Sequence, residues 1–119
     1  PHWESSDARA AAHDLVDSGI DFDGAFCMTD TIAIGFVRGL ADRGLRVPDD
    51  VAVIGFDGIR ECEDYIPSLS TVATDLNDLA AKAMRLLLDR LDEDGKGTPL
   101  PARTLTADFR LIARESTRR

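Results

Sequence analysis

Two stretches of the sequence decide the fold: Cys27-Met28-Thr29-Asp30-Thr31-Ile32-Ala33-Ile34-Gly35 and Val51-Ala52-Val53-Ile54-Gly55-Phe56-Asp57. Each places an aspartate at the carboxyl end of an apolar segment that predicts a β-strand. In open α/β sheets, ligands bind in the crevice beyond the carboxyl ends of the strands, because helices cover both faces of a parallel sheet. The pattern therefore predicts an α/β fold with a small-molecule pocket beside Asp30 and Asp57.

Three helices are predicted from the spacing of apolar residues, which recur every three or four positions. This spacing occurs in 8–16, 32–41 and 76–91. Short polar side chains accept hydrogen bonds from the free N–H groups at the start of a helix, so each helix is expected to have a cap. The expected caps are Ser5 or Ser6, Asp30 and Asp75.

Four strands are predicted, at 25–28, 51–56, 70–74 and 104–112. The segment 51–56 is almost continuously apolar, which is typical of a central parallel strand that is covered on both faces. The segment 25–28 is expected to be buried, whereas 104–112 alternates and is expected to be half-buried. The order of the elements is that of an α/β fold. A turn-rich break is expected at 95–99, and the polar residues 114–119 are expected to fray.

The composition limits the size of the fold and the partners of the chain. With 119 residues, of which 44% are hydrophobic, the chain is long enough for one domain or for one lobe of a larger domain. Its net charge of −8 would repel a phosphate backbone, so this segment itself is not expected to grip DNA. The start at Pro1-His2-Trp3, directly before a helix, predicts the carboxyl-terminal part of a longer chain.

The cysteines and the hydropathy pattern predict a cytoplasmic location. Cys27 lies in an apolar strand and Cys62 in a polar loop, and these unrelated contexts favour free thiols in a reducing compartment. No apolar run approaches the roughly 20 residues that a membrane-spanning helix needs, and no charged and then apolar leader opens the chain. A soluble protein without membrane contact is therefore expected.

Three candidate binding residues each allow two interpretations. Asp30 suits a helix cap as well as a pocket carboxylate, and both roles can hold at once. Asp57 follows the predicted central strand and precedes Gly58, so it either forms an Asx-turn or binds a ligand. Trp3 is either a buried anchor or an aromatic face that stacks on a sugar or purine ring.

Catalytic, metal and cofactor sites receive little support from the sequence. Hydrolysis by paired carboxylates would require Asp30 and Asp57 to face each other across a substrate, and paired acids at strand ends more often bind than react. The histidines and cysteines lack the spacing of metal ligands. Gly55 and Gly58 lack the companion glycine and lysine of a phosphate loop. The sequence therefore predicts a binding protein without a metal or cofactor, not an enzyme.

Four motifs, in this order and spacing, resemble the effector-binding domain of the LacI/GalR (lactose-repressor and galactose-repressor) family of transcription regulators. They are Thr29-Asp30-x-x-Ala33-x-Gly35, Gly44-Leu45-x-Val47-Pro48-x-Asp50-Val51-Ala52-Val53-Ile54-Gly55-Phe56-Asp57, Pro67-x-Leu69-Ser70-Thr71-Val72 and Arg114-Glu115-Ser116-Thr117. The resemblance covers almost the whole chain.

The resemblance implies one lobe of a two-lobed fold. It implies a three-layer, parallel-sheet lobe of the type I periplasmic-binding-protein-like fold, of which the chain is the carboxyl-terminal subdomain and the first lobe is absent. Residues 1–74 and 104–113 would form this lobe. The helix 76–91 has a wide leucine-rich face, which would pack on the missing first lobe or on a second copy of the chain.

The resemblance also implies the residues of the effector site. Trp3 matches the aromatic residue that lies against the effector ring, and Asp57 matches the carboxylate that accepts hydrogen bonds from effector hydroxyl or amino groups. Thr29 precedes Asp30 at a position where the family usually has Asn, so the amide donor of that position is lost. Leu76 falls where some members place an apolar or aromatic pocket residue.

A dimer interface is implied as well. In members that dimerise through this lobe, Ile34, Gly35 and Arg38 on one helix and Tyr65 on a loop lie at the subunit contact. Glycine lowers helix stability by about 0.5 to 1 kcal/mol relative to alanine, so Gly35 and Gly39 are expected to allow close packing against a neighbouring element. A dimer partner would be such an element.

The function implied is that of an effector-sensing and dimerising portion of a repressor. It would bind a small sugar-like or purine-like effector, carry out no chemistry, and change the operator affinity of an amino-terminal helix-turn-helix domain that is absent from this sequence. The alternative is a periplasmic-type sugar-binding protein of a transporter, which shares the two-lobed fold.

Overall fold

The structure is a computed structural model that describes residues 4–94 and 101–118. The predictions for Trp3 and for the turn-rich break at 95–99 lie outside the described residues. The chain forms two compact units. Unit 1 comprises Pro1–Ala73 and Leu111–Arg119, and unit 2 comprises Thr74–Arg110.

Helices and strands alternate along the described chain, as expected for an α/β fold. The helices are α1 (Ser5–Asp17), α2 (Asp30–Asp42), α3 (Glu61–Asp64) and α4 (Leu76–Asp94), followed by a short 3₁₀ helix at Glu115–Thr117. The strands are β1 (Gly24–Phe26), β2 (Ala52–Asp57), β3 (Ser70–Thr74) and β4 (Phe109–Ile112).

The strands form one sheet in the order β1-β2-β3-β4. β2 is parallel to β1, with Phe26 opposite Ile54, and parallel to β3, with Gly55 opposite Thr71. The prediction that 51–56 is a central parallel strand is confirmed. The carboxyl ends of β1, β2 and β3 therefore meet at the same edge of the sheet.

The core of unit 1 lies where α1 and α2 pack together and α2 packs on β2. Its members are buried apolar side chains with little or no contact with solvent. They are Ala12, Cys27, Ala33, Phe36, Val37, Leu40, Val51, Val53, Cys62 and Leu69. The apolar stripe that predicted α2 is thus largely the surface that this helix buries.

Gly35 and Gly39 allow α1 and α2 to approach closely. A Cβ atom on Gly39 would lie 2.6 Å from the Ala12 Cβ and 2.6 Å from the Arg9 carbonyl oxygen, and one on Gly35 would collide with the Ser5 backbone. The predicted close packing is confirmed, but the explanation by a dimer partner is wrong. The neighbouring element is α1 of the same chain, so Gly35 is buried within the subunit.

Polar contacts also join α1 to α2. Asp42 accepts a hydrogen bond from Arg9 Nε at 2.5 Å, lies 3.0 Å from His13 Nε2 and forms an ion pair with Arg38 Nε at 3.1 Å. The hydrogen bond from Arg9 is the main reason why the pKa of Asp42 falls to about 2. Asp42 thus links three basic side chains at one end of the helix pair.

Two strand predictions need correction. The segment 25–28 is not a buried strand: β1 ends at Phe26, whose side chain is 62% exposed, and Met28 is exposed as well. Phe26 pairs with Ile54, which lies on the opposite face of the sheet from the buried Val53. β4 is shorter than predicted because residues before Phe109 contact α4 instead, where Lys82 Nζ donates to the Thr106 carbonyl at 2.9 Å.

Two of the three predicted helix caps are also wrong. α1 already includes Ser5 and Ser6, and its N-cap is Glu4, which makes no capping side-chain hydrogen bond. The N-cap of α2 is Thr29, whose Oγ1 accepts a hydrogen bond from Ile32 N at 3.2 Å. Asp75 does cap α4, because its Oδ1 accepts hydrogen bonds from Asn77 N and Asp78 N at 3.0 Å each.

The carboxyl-terminal motif does not fray up to Arg118, contrary to the prediction. Ser116 is completely buried; its hydroxyl donates to the Val53 carbonyl at 2.6 Å and accepts from Ser70 N at 2.8 Å. Arg114 donates to the Leu69 carbonyl at 2.8 Å, and the Glu115 carboxylate accepts from Ser68 N at 2.7 Å. Hydrogen bonds to the central strands thus order a segment that has almost no apolar residues.

In unit 2, α4 leaves most of its large apolar side chains exposed. They are Leu76, Leu79, Met84, Leu87, Leu88 and Leu91. The helix is three residues longer than the predicted 76–91. Within the described part of the chain, no helix is both long and apolar enough to cross a membrane.

Candidate functional site

The candidate site lies at the edge of the sheet where β1 and β2 end, and its two aspartates have different surroundings. The Asp30 side chain is 0% exposed, at the first residue of α2. Asp57, the last residue of β2, is exposed. The two aspartates therefore do not face each other across an open cleft, which removes the geometry that paired-carboxylate hydrolysis requires.

Asp30 holds the turn that follows β2. Its Oδ2 accepts hydrogen bonds from Gly58 N at 2.7 Å and from Ile59 N at 2.9 Å. A carboxylate in the first turn of a helix is also favoured by the partial positive charge of the helix N-terminus. Thr29, and not Asp30, is the N-cap of α2. The hydrogen-bond donors to Asp30 are the backbone N–H groups of Gly58 and Ile59.

Glycines at positions 55 and 58 allow close contacts around the turn and the buried carboxylate. A Cβ atom on Gly55 would collide with Asp30 Oδ1, and one on Gly58 would lie 2.5 Å from the Ala73 Cβ. Thr71 Oγ1 accepts a second, longer hydrogen bond from Gly58 N at 3.2 Å. Thr71 belongs to one of the four motifs but is not among the predicted site residues, although its place opposite Gly55 in the parallel register could have indicated it.

Asp57 adopts a backbone conformation that is unusual for a residue with a side chain. Its φ is +114°, and it is the one non-glycine residue with positive φ in 4–94 and 101–118. Such conformations cost about 1 to 3 kcal/mol and cluster at functional sites. Its side chain makes no hydrogen bond with the described residues, so the Asx-turn interpretation of Asp57 is wrong.

The electrostatics of Asp57 are set by partial burial and by its neighbour. Burial and then the charge of Asp30 raise the pKa of the Asp57 carboxyl above its ordinary value. Asp57 therefore offers two acceptor oxygens towards solvent from a turn that Asp30 holds in place. Such a group can accept hydrogen bonds from the hydroxyl or amino groups of a small ligand.

Two of the other three residues predicted to contact the ligand lie within the described part of the chain. Thr29 is half-buried and uses its hydroxyl oxygen as the cap of α2. Leu76 begins α4 in unit 2 and is exposed. Trp3 lies outside the described residues. The ligand-binding roles of these residues, and that of Asp30, stay predictions.

Cys62 was expected in a polar loop, and this expectation is wrong. It lies in α3, and its side chain is fully buried. Burial and the neighbouring Asp30 carboxylate raise the pKa of the Cys62 thiol to about 12, and burial raises that of Cys27 to about 11. Neither cysteine forms a disulfide. Because both pKa values lie far above 7, both thiols are neutral at neutral pH.

Two surface grooves flank Tyr65 on unit 1. One, of about 490 Å³, is lined by Ser5, Ser6, Arg9, Ile34, Gly35, Arg38 and Tyr65. The other, of about 370 Å³, runs from Val37 past Tyr65 to Pro67. Tyr65 itself donates a hydrogen bond to the Ile34 carbonyl at 3.3 Å. Of the four predicted dimer-contact residues, Ile34, Arg38 and Tyr65 thus lie beside one groove, together with the backbone at Gly35.

No group of three or more His, Cys, Asp or Glu side chains within 4–94 and 101–118 is arranged to hold a metal ion. The residues of the candidate site are oxygen acceptors and backbone donors, without a phosphate-binding loop. These groups can bind a small polar molecule that carries hydroxyl or amino groups.

Comparison with known proteins gives a consistent result. The family model of the periplasmic binding protein-like domain matches residues 2–117. The chain is 37% identical over 93 residues to the HTH-type transcriptional repressor PurR of Actinobacillus pleuropneumoniae, a match that covers 78% of this chain and 27% of that protein.

Solved structures of similar proteins share the fold. A LacI family transcriptional regulator from Arthrobacter sp. FB24, in complex with lactose, superposes with a TM-score of 0.80 at 38% identity, over 98% of this chain and 42% of that one. A LacI-type transcription regulator from Bifidobacterium animalis gives a TM-score of 0.81 at 35% identity, over 96% and 39% of the two chains. The chain thus spans less than half the length of the proteins that it matches.

Proposed function

Since the chain belongs to the periplasmic-binding-protein-like domain family, and its matches include LacI-family regulators, we propose that it is the effector-sensing portion of a LacI-type transcriptional repressor. The single observation that carries this proposal is the outward-facing Asp57 carboxylate on a strained turn at the carboxyl end of the central strand. This is the place where parallel α/β sheets bind small molecules.

The effector is a small polar molecule that carries hydroxyl or amino groups. The Asp57 carboxylate offers two acceptor oxygens, which suit vicinal sugar hydroxyls or the N–H groups of a purine-like base. The similar regulator from Arthrobacter was crystallised with lactose, which favours the sugar class. Trp3, Thr29 and Leu76 complete the set of expected contacts, with Thr29 limited by its role as the cap of α2.

The chain acts by binding and not by catalysis. Asp30, the potential partner carboxylate, is buried, and its Oδ2 is occupied by two backbone donors. Asp30 is therefore not available as the second acid for general acid–base work with Asp57. The relative named PurR is a transcriptional repressor, which agrees with this assignment.

The parent protein would act as a homodimer on operator DNA. The net charge of −8 disfavours DNA contact by this segment, so operator recognition belongs to residues outside it. The groove beside Ile34, Arg38 and Tyr65 is the proposed dimer contact, and a regulator of this kind works in the cytoplasm, where the operator is. The transporter alternative is not favoured, because the similar proteins reported above are regulators.

The exposed face of α4 supports the expected division into lobes. Each leucine that leaves water stabilises a protein by roughly 1.5 to 3 kcal/mol, so a helix with five exposed leucines (Leu76, Leu79, Leu87, Leu88 and Leu91) favours a covered state. We propose that the first lobe of the parent protein, or a second copy of the chain, covers this face.

A thermal-shift screen of the complete parent protein tests the proposed function. The panel contains lactose and other sugars, sugar phosphates and purine bases, because a ligand that binds only the native state raises the melting temperature. The variant Asp57→Asn should abolish the shift given by the active compound, whereas Asp64→Asn, on α3, should leave it unchanged. Equal shifts in wild type and Asp57→Asn would refute the assignment, as would turnover of the compound.

A further inference from the structure

We infer that Asp30 is a positioning residue for Asp57: its buried carboxylate holds the strained turn that directs the Asp57 side chain outward. This inference rests on the proposed effector role of Asp57 and assigns to its neighbour the task of maintaining the geometry of the site. Asp30 would not touch the effector itself, because its side chain is 0% exposed.

The turn needs an external restraint. Asp57 has a φ of +114° and Gly58 a φ of +79°, so two consecutive residues occupy a region that side-chain-bearing residues avoid. Gly58 adopts a positive φ without strain because it has no Cβ atom, whereas Asp57 does not. Strained conformations persist only where the surrounding structure over-determines them. The restraint must therefore come from contacts with the backbone just after Asp57.

The Asp30 carboxylate supplies these contacts. Its Oδ2 accepts hydrogen bonds from the N–H groups of Gly58 at 2.7 Å and Ile59 at 2.9 Å, the two peptide groups that follow Asp57. Thr71 Oγ1 adds a weaker bond to Gly58 N at 3.2 Å. Hydrogen bonds to a charged acceptor are the stronger kind, so Asp30 dominates the restraint.

The packing around Asp30 leaves room for its side chain only because residue 55 is a glycine. Oδ1 is buried without a hydrogen-bond partner and lies against Gly55, where any Cβ atom would collide with it. A buried, unpartnered oxygen is costly, and a neutral side chain could accept the same two backbone bonds. The charge that this oxygen brings has one visible consequence at the site, since Asp30 contributes to the raised pKa of Asp57.

The variants Asp30→Ala and Asp30→Asn separate the hydrogen bonds from the charge. Asp30→Ala removes both, whereas Asp30→Asn keeps an acceptor oxygen for Gly58 N and Ile59 N. Thr71→Val is the matched control, because it is buried, nearly isosteric and removes only the weaker bond.

Amide hydrogen exchange and the carboxyl ¹³C titration of Asp57 provide the readouts. Exchange at Gly58 and Ile59 should be about ten-fold faster or more in Asp30→Ala, less affected in Thr71→Val and restored towards wild type in Asp30→Asn. The pKa of Asp57 should fall in Asp30→Asn, because a like charge is removed, and stay near the wild-type value in Thr71→Val.

Unchanged exchange at Gly58 and Ile59 in Asp30→Ala would overturn the inference, and so would exchange in Thr71→Val as fast as that in Asp30→Ala. If Asp30→Ala fails to fold, Asp30→Asn decides, because its neutral oxygen is a weaker acceptor: exchange at both amides that matches wild type, while Thr71→Val exchanges faster, would overturn the inference. Neither readout uses a ligand, so a failure of the positioning role is distinguishable from a failure of the effector role, which the thermal-shift screen reports.

Discussion

The ends of β1 and β2 follow the same sequence rule but have opposite outcomes. An aspartate lies near the carboxyl end of each strand, yet Asp30, a few residues after β1, is buried, whereas Asp57, the last residue of β2, is exposed. Asp30 begins a helix, where a carboxylate can accept backbone N–H bonds from a neighbouring turn. Asp57 lies on that turn with a positive φ. Placement at a strand end therefore predicts a site, but the local backbone decides which side chain faces the ligand.

The largest effect on stability is expected when the inward-facing carboxylate is removed. Asp30→Ala removes the main acceptor of the part-buried Gly58 N and Ile59 N, and each hydrogen bond to a charged group contributes about 1.5 to 3 kcal/mol. The free energy of unfolding, measured by urea titration, should fall by about 3 kcal/mol. Asp57→Ala, at the outward-facing position, should change it by less than about 0.5 kcal/mol. Equal losses in the two variants would erase the difference between the strand ends.

The space that the buried carboxylate requires is tested at Gly55. A methyl group there collides with Asp30 Oδ1, so Gly55→Ala should lower the free energy of unfolding by about 2 kcal/mol. Gly24→Ala is the control, because a Cβ at this other strand glycine lies 3.9 Å from its nearest neighbour, the Ala52 carbonyl oxygen. Urea midpoints that drop by the same amount in both variants would show that only the loss of glycine matters.

The strain at the outward-facing aspartate predicts a stabilising substitution. Asp57→Gly relieves the cost of a positive φ, about 1 to 3 kcal/mol, and gives back about 0.5 to 1 kcal/mol through the greater freedom of glycine in the unfolded chain. A net gain of about 1 kcal/mol is expected in the same urea titrations, together with loss of effector binding. A destabilised variant that still binds would mean that Asp57 is neither strained nor functional.

The smallest effects concern the pH dependence of stability. The pKa of Asp42 is lowered to about 2, so its stabilising contribution is complete above about pH 4 and is lost as the pH falls towards 2. Asp57 has a raised pKa, so its contribution has the opposite sign: it is present at low pH and is lost as the pH rises through that pKa.

Urea midpoints at pH 3 and pH 6 compare the two carboxylates. Asp42→Asn should reduce the loss of stability between pH 6 and pH 3, and Asp57→Asn should slightly increase it. A change in the same direction for both variants would contradict the assigned environments.

Much of the fold could be predicted because apolar periodicity reports burial directly. β2 and the apolar stripe of α2 are both recognisable in the sequence, and both form the core of unit 1. Periodicity does not name the partner of a face, however. The glycines at 35 and 39 predict a close neighbour but not which one: it is α1 of the same chain and not a second subunit.

The parts that could not be predicted depend on polar contacts between distant segments. Ser116 is buried because its hydroxyl reaches Val53 and Ser70, more than forty positions away, and nothing in the local sequence 114–119 indicates this. Cys62 likewise appears in a polar stretch but packs beside Asp30. The sequence predicted that both aspartates lie at the candidate site. It did not show which of them faces solvent, because the hydrogen bonds from Gly58 N and Ile59 N to Asp30 depend on the folded turn.

An NMR titration of the protein with the compound selected by the thermal-shift screen tests most directly whether the turn after β2 contacts the effector. Amide and carboxyl signals are followed in wild type and in Asp57→Asn. The largest shifts are expected at Asp57 and Gly58 in wild type, and they should vanish in the variant. Shifts centred instead on the groove beside Tyr65, and unchanged by Asp57→Asn, would contradict it.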